Sequence, residues 1–229
     1  MPTPDRAAAR DRFLRRAGWA GAERHPLAGD ASARRYLRLS RADGSGAVLM
    51  DADPETGEDT RRFLRVARFL HDAGFSAPRI LDADPTEGFL LLEDLGDALL
   101  ARLAETEPHA APALYAVTGE MLAALHRHDP PADWPRATPE RLADAITPVF
   151  THYGPDVGPA HRAQMMTALR AALAQLGEPC AAPVLRDVHA ENLIWLPERQ
   201  GPRRLGLLDF QDAVAGHPAY DLASLVADA

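Results

Sequence analysis

The sequence predicts an α+β protein of two lobes, a small lobe to about residue 96 and a mainly helical lobe over residues 97–229. Short apolar or alternating runs separated by turn residues recur in the first lobe, which is typical of an antiparallel sheet. After residue 96, apolar residues recur at the three- and four-residue spacing of a helix face. Two short apolar runs near the end add a buried hairpin to the helical lobe.

The small lobe is predicted to begin with a helix. Thr3-Pro4 can start this helix, which runs to about Ala17 because Gly18 stops it. A second helix carries an apolar face that includes Phe63 and Leu70 and ends at Gly74. Alternation and turn residues predict four strands around these helices, over residues 36–39, 47–51, 78–83 and 88–92.

The helical lobe is predicted to contain three helices before the hairpin. One has an apolar face from Leu114 to Leu125, and another begins at Thr138-Pro139 and runs through Phe150. The third begins at Gly158-Pro159, and its apolar residues are expected to face the core: Met165, Leu169, Leu173 and Leu176.

Composition restricts the class of protein. The 229 residues are 46% hydrophobic, which is enough to bury a core, and the net charge of −8 argues against a nucleic-acid partner. No apolar run reaches the ~18 residues of a membrane span, and the start of the chain has no apolar signal region. Cys180 has no cysteine partner for a disulfide or a zinc site. We therefore expect a cytoplasmic protein with no membrane partner.

All 25 basic residues are arginines, because the chain contains no lysine. This excludes a phosphate loop of the Gly-x-x-x-x-Gly-Lys type and a Schiff-base lysine. Any side-chain cation that holds a bound anion must therefore be an arginine or a histidine.

The predicted hairpin carries polar residues at the ends of its strands. Residues 193–196 and 205–208 are the two apolar runs, and residues 197–202 form the turn between them. Asp187 and Asn192 precede the first run and Asp209 follows the second, so the hairpin should bring Asn192 and Asp209 together near Asp187. Two carboxylates and an amide oxygen suit Mg²⁺, with one carboxylate left for a substrate.

This pattern resembles the catalytic and metal loops of protein kinases, Asp-x-x-x-x-Asn followed by Asp-Phe. Two positions depart from it, Leu185 in place of the usual His and Gln211 in place of Gly. The continuation Asp-Phe-Gln-Asp-Ala and Tyr-Asp-Leu-Ala-Ser-Leu resembles the aminoglycoside phosphotransferase family. Within that family, these motifs look like those of the bacterial kinases that phosphorylate N-acetylmuramate and N-acetylglucosamine at the anomeric hydroxyl.

The resemblance implies a kinase-like fold and transfer of the γ-phosphoryl group of ATP to a small-molecule sugar in cell-wall recycling. Asp187 would act as the catalytic base, and Asn192 and Asp209 would hold Mg²⁺. His189 is an accessory candidate, for which a γ-phosphate contact and a role in bracing the loop remain equally open. Asp221 is expected to be a buried residue that supports the catalytic loop.

The nucleotide would lie against the small lobe. The backbone of Glu93 and Leu95, in the segment after the last strand, would pair with adenine. Ser32 and either Arg34 or Arg35 would meet the phosphates, and adjacent strand residues point to opposite faces, so only one arginine can do so. The sequence does not choose between the two arginines.

Several residues have a structural interpretation beside the functional one. The strand lysine of most kinases would lie near Met50, and its absence puts the lysine–glutamate ion pair in doubt. Glu55 and Glu58 are therefore expected to head the second helix and complement its dipole. Asp97 is expected to cap a helix, and His126 to lie at the surface or to cap a helix.

Two other functions stay open from the sequence. One is a kinase of the same family that acts on an aminoglycoside, choline or a similar small molecule. The other is a nucleotide-binding module without catalysis, because the strand lysine is absent. Members of the family continue beyond the equivalent of Ala229, so the helical lobe is expected to be incomplete, and the chain to be a monomer or a weak homodimer.

Overall fold

The structure is a computed structural model that describes residues 4–27, 33–176 and 181–227. The chain forms two compact units, Met1–Thr118 with Ala190–Asp212, and Gly119–His189 with Ala213–Ala229. The first unit includes the hairpin, which lies far from the sheet in sequence. A lobe boundary at residue 96 stays a prediction.

The helices and strands alternate irregularly along the chain. In order they are α1 Pro4–Arg16, β1 Glu23–Pro26, β2 Arg35–Ser40, β3 Gly46–Asp51, α2 Thr60–Asp72, β4 Ile80–Asp84, β5 Phe89–Leu92, α3 Leu100–Thr106, α4 Ala111–Leu125, α5 Pro139–Asp144, α6 Val149–His152, α7 Pro159–Ala174, β6 Ala182–Val184, β7 Leu193–Trp195, β8 Leu205–Leu207, β9 Val214–Gly216 and α8 Ala219–Ala227. The α+β prediction is confirmed.

The first unit is built on an antiparallel sheet of five strands in the order β1-β2-β3-β5-β4. Helix α1 packs on this sheet, and the ring of Phe13 stacks on that of Phe89 with centroids 5.5 Å apart. Strand β1 was not predicted, because its Glu-Arg-His-Pro sequence has no apolar alternation and it is defined by pairing with β2.

One glycine fixes the turn between β4 and β5. Gly88 has φ of +72°, and a Cβ at this position would lie 1.9 Å from the carbonyl oxygen of Ala52. The same close approach allows the N–H of Ala52 to donate to the carbonyl of Gly88 at 2.9 Å. Any side chain at residue 88 would therefore displace the end of β3.

The second unit is helical, with a short antiparallel pair formed by β6 and β9. The single helix predicted from residue 139 to 150 is wrong, since the chain forms α5 and α6 with a break that contains Pro148. Proline has no N–H to continue a helix, which explains the break.

The inward face predicted for the third helix is also wrong. Helix α7 contacts α5 but buries none of its residues, and Met165 is 54% exposed. Helical periodicity identifies an apolar face but does not supply a neighbour to cover it. No helix among the described residues has both the length and the apolar character needed to cross a membrane.

Candidate functional site

The predicted hairpin is present in the first unit. Strands β7 and β8 pair antiparallel with Leu193 opposite Leu207, and the N–H of Leu208 donates to the carbonyl of Asn192 at 2.9 Å. This bond brings Asn192, at the end of a 3₁₀ turn over Ala190–Asn192, to the same end of the hairpin as Asp209. The sequence spacing therefore predicted correctly that Asn192 and Asp209 lie at one end of the hairpin, and their role in binding a metal stays a prediction.

Asp209 is held in an unusual backbone conformation by its neighbours. Its φ is +51°, in the left-handed region that Asp and Asn tolerate better than most residues. Its Oδ1 accepts hydrogen bonds from Arg34 Nη2 at 3.0 Å and from Gln211 Nε2 at 2.7 Å. The buried ring of Phe210 packs 4.7 Å from that of Phe63 on α2, which anchors the segment. These contacts fix the orientation of the Asp209 carboxylate.

Arg34 is the arginine that faces this carboxylate. Its side chain is 10% exposed and also lies near Glu58, with 3.7 Å between Nε and Oε2, whereas Arg35 is exposed. Burial alone would lower the pKa of Arg34, but Tyr36, Asp209 and Glu58 together raise the pKa above its ordinary value. Arg34 therefore keeps its positive charge throughout the physiological pH range.

The interpretation of Glu58 as a helix-dipole residue is incomplete. Glu58 precedes Asp59, whose side chain caps α2, and it pairs with Arg34. Glu55 also lies outside α2, in the first turn of a separate 3₁₀ helix over Pro54–Thr56, so the prediction that it heads α2 is wrong. An Arg34–Glu58 pair thus stands in the first unit, which also contains the buried Met50 at the position where the strand lysine would lie.

The oxygen atoms beside Asp209 fit a hard cation. Asn192 carries an amide and Asp209 a carboxylate, and the two residues lie at one end of the hairpin. The Oε1 of Gln211 is buried and accepts no hydrogen bond in the described part of the chain. No group of three or more His, Cys, Asp or Glu side chains in that part could hold a metal. A Mg²⁺ ion here would therefore need water or ligand oxygens, as is usual for this ion.

The segment after β5 offers backbone groups for a flat heterocycle. Within the described residues, neither the carbonyl of Glu93 nor the N–H of Leu95 has a hydrogen-bond partner. The N–H of Glu93 is engaged, since it donates to the carbonyl of Arg79 at 2.8 Å. Leu95 lies against Gly206 of β8, where a Cβ would approach Leu95 Cδ1 to 2.8 Å. An acceptor and a donor two residues apart match what adenine requires.

Two other predictions for this unit have different outcomes. Ser32 lies outside the described residues, and its phosphate contact stays a prediction. Asp97 does not cap a helix, because α3 begins after Leu99 and Asp97 instead accepts from Arg38 Nη1 at 2.7 Å. The same guanidinium pairs with Asp94, with 2.7 Å between Nε and Oδ2, which ties β2 to the segment after β5.

The loop that carries Asp187 belongs to the second unit. Asp221 in the first turn of α8 is fully buried, and its carboxylate accepts from the N–H of Leu185 at 2.8 Å and of Arg186 at 2.7 Å. Arg186 has φ of +78°, so these bonds hold a strained turn. Asp187 and His189 are partly buried, and the N–H of His189 donates to the carbonyl of Asp187 at 3.2 Å. Asp221 supports the loop as expected.

His126 directly follows α4, but it does not lie at the surface. Its ring is largely buried, and Nε2 lies 3.9 Å from Asp221 Oδ2. The sequence missed this placement because His126 follows the last turn of α4, where surface histidines are common. His126 thus lies beside the carboxylate that holds the backbone of Leu185 and Arg186.

Replacing Asp221 with Asn is expected to destabilise the protein by about 2–3 kcal/mol, as for hydrogen bonds to a charged group. An amide has one acceptor oxygen, so one of the two backbone N–H groups would face an NH₂ donor. Urea unfolding at a constant slope measures the change. Asp129→Asn, on an exposed residue of the same unit, is the control and should be neutral. Equal stability of both variants would contradict a supporting role for Asp221.

Sequence comparison decides the family. A model of the phosphotransferase enzyme family (APH) matches residues 23–229. This chain belongs to that family. The N-acetylmuramate/N-acetylglucosamine kinase of Caulobacter vibrioides is 38% identical to this phosphotransferase, over 98% of this chain and 72% of the relative. The kinase of the same name from Pseudomonas aeruginosa is 34% identical over 91% of this chain, which spans 60% of that relative.

Solved structures agree on the fold of this phosphotransferase. The aminoglycoside phosphotransferase APH(3'')-Id of Streptomyces rimosus, in complex with ADP and streptomycin, matches with a TM-score of 0.70 and 18% identity over 99% of this chain and 84% of that chain. A choline/ethanolamine kinase family protein of Mesorhizobium loti matches with a TM-score of 0.65 and 21% identity over 97% of this chain and 70% of that chain. These likenesses show the kinase-like fold.

Proposed function

We propose that this phosphotransferase transfers the γ-phosphoryl group of ATP to the anomeric hydroxyl of N-acetylmuramate or N-acetylglucosamine. The observation that carries the proposal is the 38% identity to the Caulobacter vibrioides kinase over 98% of the chain. The presence of Asp187, Asn192 and Asp209 at kinase spacing supports catalysis over a binding role alone. Under this proposal, the protein acts in the cytoplasm on sugars that are recycled from the cell wall.

Each candidate residue has one task in this reaction. Asp187 orients the sugar hydroxyl and accepts its proton, while the backbone of Glu93 and Leu95 pairs with adenine. Asn192 and Asp209 supply oxygen ligands for Mg²⁺, which would neutralise charge on the phosphates when bound. Because Arg34 Nη2 donates to Asp209 Oδ1 at 3.0 Å, its guanidinium would meet phosphate oxygens that bind next to this carboxylate.

The two arginines are expected to differ sharply in function. Arg34→Ala should lower kcat/KM for ATP by on the order of 10²-fold, as for the loss of a preorganised electrostatic contact, while Arg35→Ala should be mild. Arg34→Lys should recover part of the loss, because it restores the charge but not the planar fork. Steady-state kinetics with ATP as the varied substrate measure all three. If both alanine variants kept most of their kcat/KM for ATP, backbone amides and Mg²⁺ alone would hold the phosphates.

A screen of acceptors tests the proposed reaction. ATP consumption is followed with N-acetylmuramate, N-acetylglucosamine, kanamycin and choline, and ³¹P NMR identifies an anomeric phosphate in the product. The screen includes the full product of the gene beside this chain, because this chain spans 72% of one curated relative and 60% of another. Turnover with kanamycin or choline alone would replace the proposed acceptor. ATP binding without turnover of any acceptor by either form would favour the binding module.

A further inference from the structure

A polar cavity in the first unit contains an accumulation of arginines that the proposed reaction does not use. Its volume is about 580 Å³, within the range of small-molecule sites. The cavity is bordered by the end of α2, the segment leading into β4, Glu93 and the turn between β7 and β8. Arg79, Arg199 and Arg203 line it, whereas Arg34, Asn192 and Asp209 do not. We call it the arginine cavity.

Positive charge exceeds negative charge in the arginine cavity. The carboxylate of Glu93 is 14% exposed and is shared by two guanidiniums, at 2.9 Å from Arg199 Nη2 and 3.3 Å from Arg79 Nε. Glu198 is exposed and lies 3.7 Å from Arg199 Nε, so it compensates little. Arg203 has no ion pair among the residues that the structure describes. Such an excess is notable in a chain of net charge −8.

The backbone that carries these arginines is fixed by buried hydrogen bonds. The hydroxyl of buried Ser76 donates to the carbonyl of Arg203 at 2.8 Å, and the N–H of Leu207 donates to the carbonyl of Ser76 at 2.9 Å. The turn with Arg199 and Arg203 is thereby tied to the segment that leads to Arg79. The backbone segments that carry these cations are thus fixed around one space before any ligand arrives.

We propose that the arginine cavity binds a small molecule through a phosphate dianion, at a site separate from the proposed reaction centre. Guanidinium groups bind phosphate oxygens in a bidentate manner, and Arg203 has its full donor set available. Arg79 and Arg199 would share their charge between the phosphate and Glu93. The shared chemistry fits either free inorganic phosphate or a phosphate monoester.

Ligand binding at this site would reach the segment proposed to hold adenine. Glu93 is joined to Arg79 by its N–H, and its carboxylate also accepts from the N–H of Arg79 at 3.2 Å. A bound phosphate that attracts the guanidiniums of Arg79 and Arg199 would weaken their ion pairs with the Glu93 carboxylate. The backbone groups proposed to pair with adenine lie in the same segment. A change in apparent ATP affinity would follow. This consequence rests on the proposed function, whereas binding of phosphate does not.

A ¹⁵N NMR titration at constant ionic strength tests binding directly, without any assay of activity. The ¹⁵N-labelled protein is titrated with inorganic phosphate, glycerol 3-phosphate and succinate. We expect saturable shifts of the amides of Phe75, Ser76 and Arg203 with both phosphates and weak or no shifts with succinate. Tighter binding of glycerol 3-phosphate assigns the site to a phosphate monoester, and equal or weaker binding assigns it to inorganic phosphate.

Matched variants localise the effect. Arg203→Gln should weaken phosphate binding by at least ~10-fold, the loss of one charge-assisted contact. Arg15→Gln, which changes an exposed arginine on α1 outside the cavity, should leave the affinity for phosphate unchanged. In Arg34→Gln, phosphate should still shift the amide resonances of the cavity residues. The proposal is overturned by the absence of saturable shifts, by equal binding of succinate, by unchanged affinity in Arg203→Gln, or by lost shifts in Arg34→Gln.

Discussion

Asp209→Asn is expected to abolish the gain in ATP affinity that Mg²⁺ provides. Asp209 Oδ1 accepts hydrogen bonds from Arg34 and Gln211. The negative charge of this carboxylate is what would attract a divalent cation to the site. Asn keeps the shape of the side chain and tolerates the φ of +51° at this position, so the backbone should not change. The variant therefore removes the negative charge with little effect on the fold.

The measurement is ATP affinity by calorimetry, with Mg²⁺ and with a chelator. In the unmodified protein the two dissociation constants should differ widely, and in Asp209→Asn their ratio should approach one. Asp72→Asn, an exposed carboxylate at the end of α2, controls for net charge and should keep the full ratio. If Asp209→Asn retained the Mg²⁺ dependence of ATP binding, Asp209 would not be a metal ligand.

The hairpin could be predicted from sequence because local patterns determine it. Two apolar runs of strand length flank a polar turn, and the length of that turn sets the register in which the two strands pair. Asn192 and Asp209 follow from that register. Asp221 was placed correctly for a different reason, the resemblance of the surrounding Tyr-Asp-Leu-Ala-Ser-Leu segment to a family.

Long-range contacts explain what the sequence did not determine. Which of Arg34 and Arg35 faces Asp209 depends on contacts with Glu58 and Asp209. These two partners lie in other parts of the chain and impose no pattern on residues 33–35. Strand β1 likewise depends on its pairing with β2. The exposed face of α7 shows the converse, an apolar pattern without enough neighbours in the described chain to bury it.

Asp187→Ala is expected to reduce kcat by at least ~10²-fold, the lower end for a positioned general base. ATP affinity should remain nearly unchanged, because the proposed role of Asp187 concerns the hydroxyl of the acceptor. The loop around Asp187 should keep its shape, since it is held through the backbone of Leu185 and Arg186 by Asp221. The loss should therefore appear in turnover and not in nucleotide binding.

Three measurements separate this role from a structural one. Turnover is measured with saturating ATP and the acceptor identified by the screen, ATP affinity by calorimetry, and stability by urea unfolding. Asp187→Asn should be as inactive as Asp187→Ala, because the amide preserves shape but cannot accept the proton. Glu191→Gln, at an exposed carboxylate in the same segment, should keep most of its activity. If only Asp187→Asn retained most of its turnover, Asp187 would position the acceptor without serving as its base. If both Asp187 variants retained most of their turnover, this residue would have no part in the mechanism.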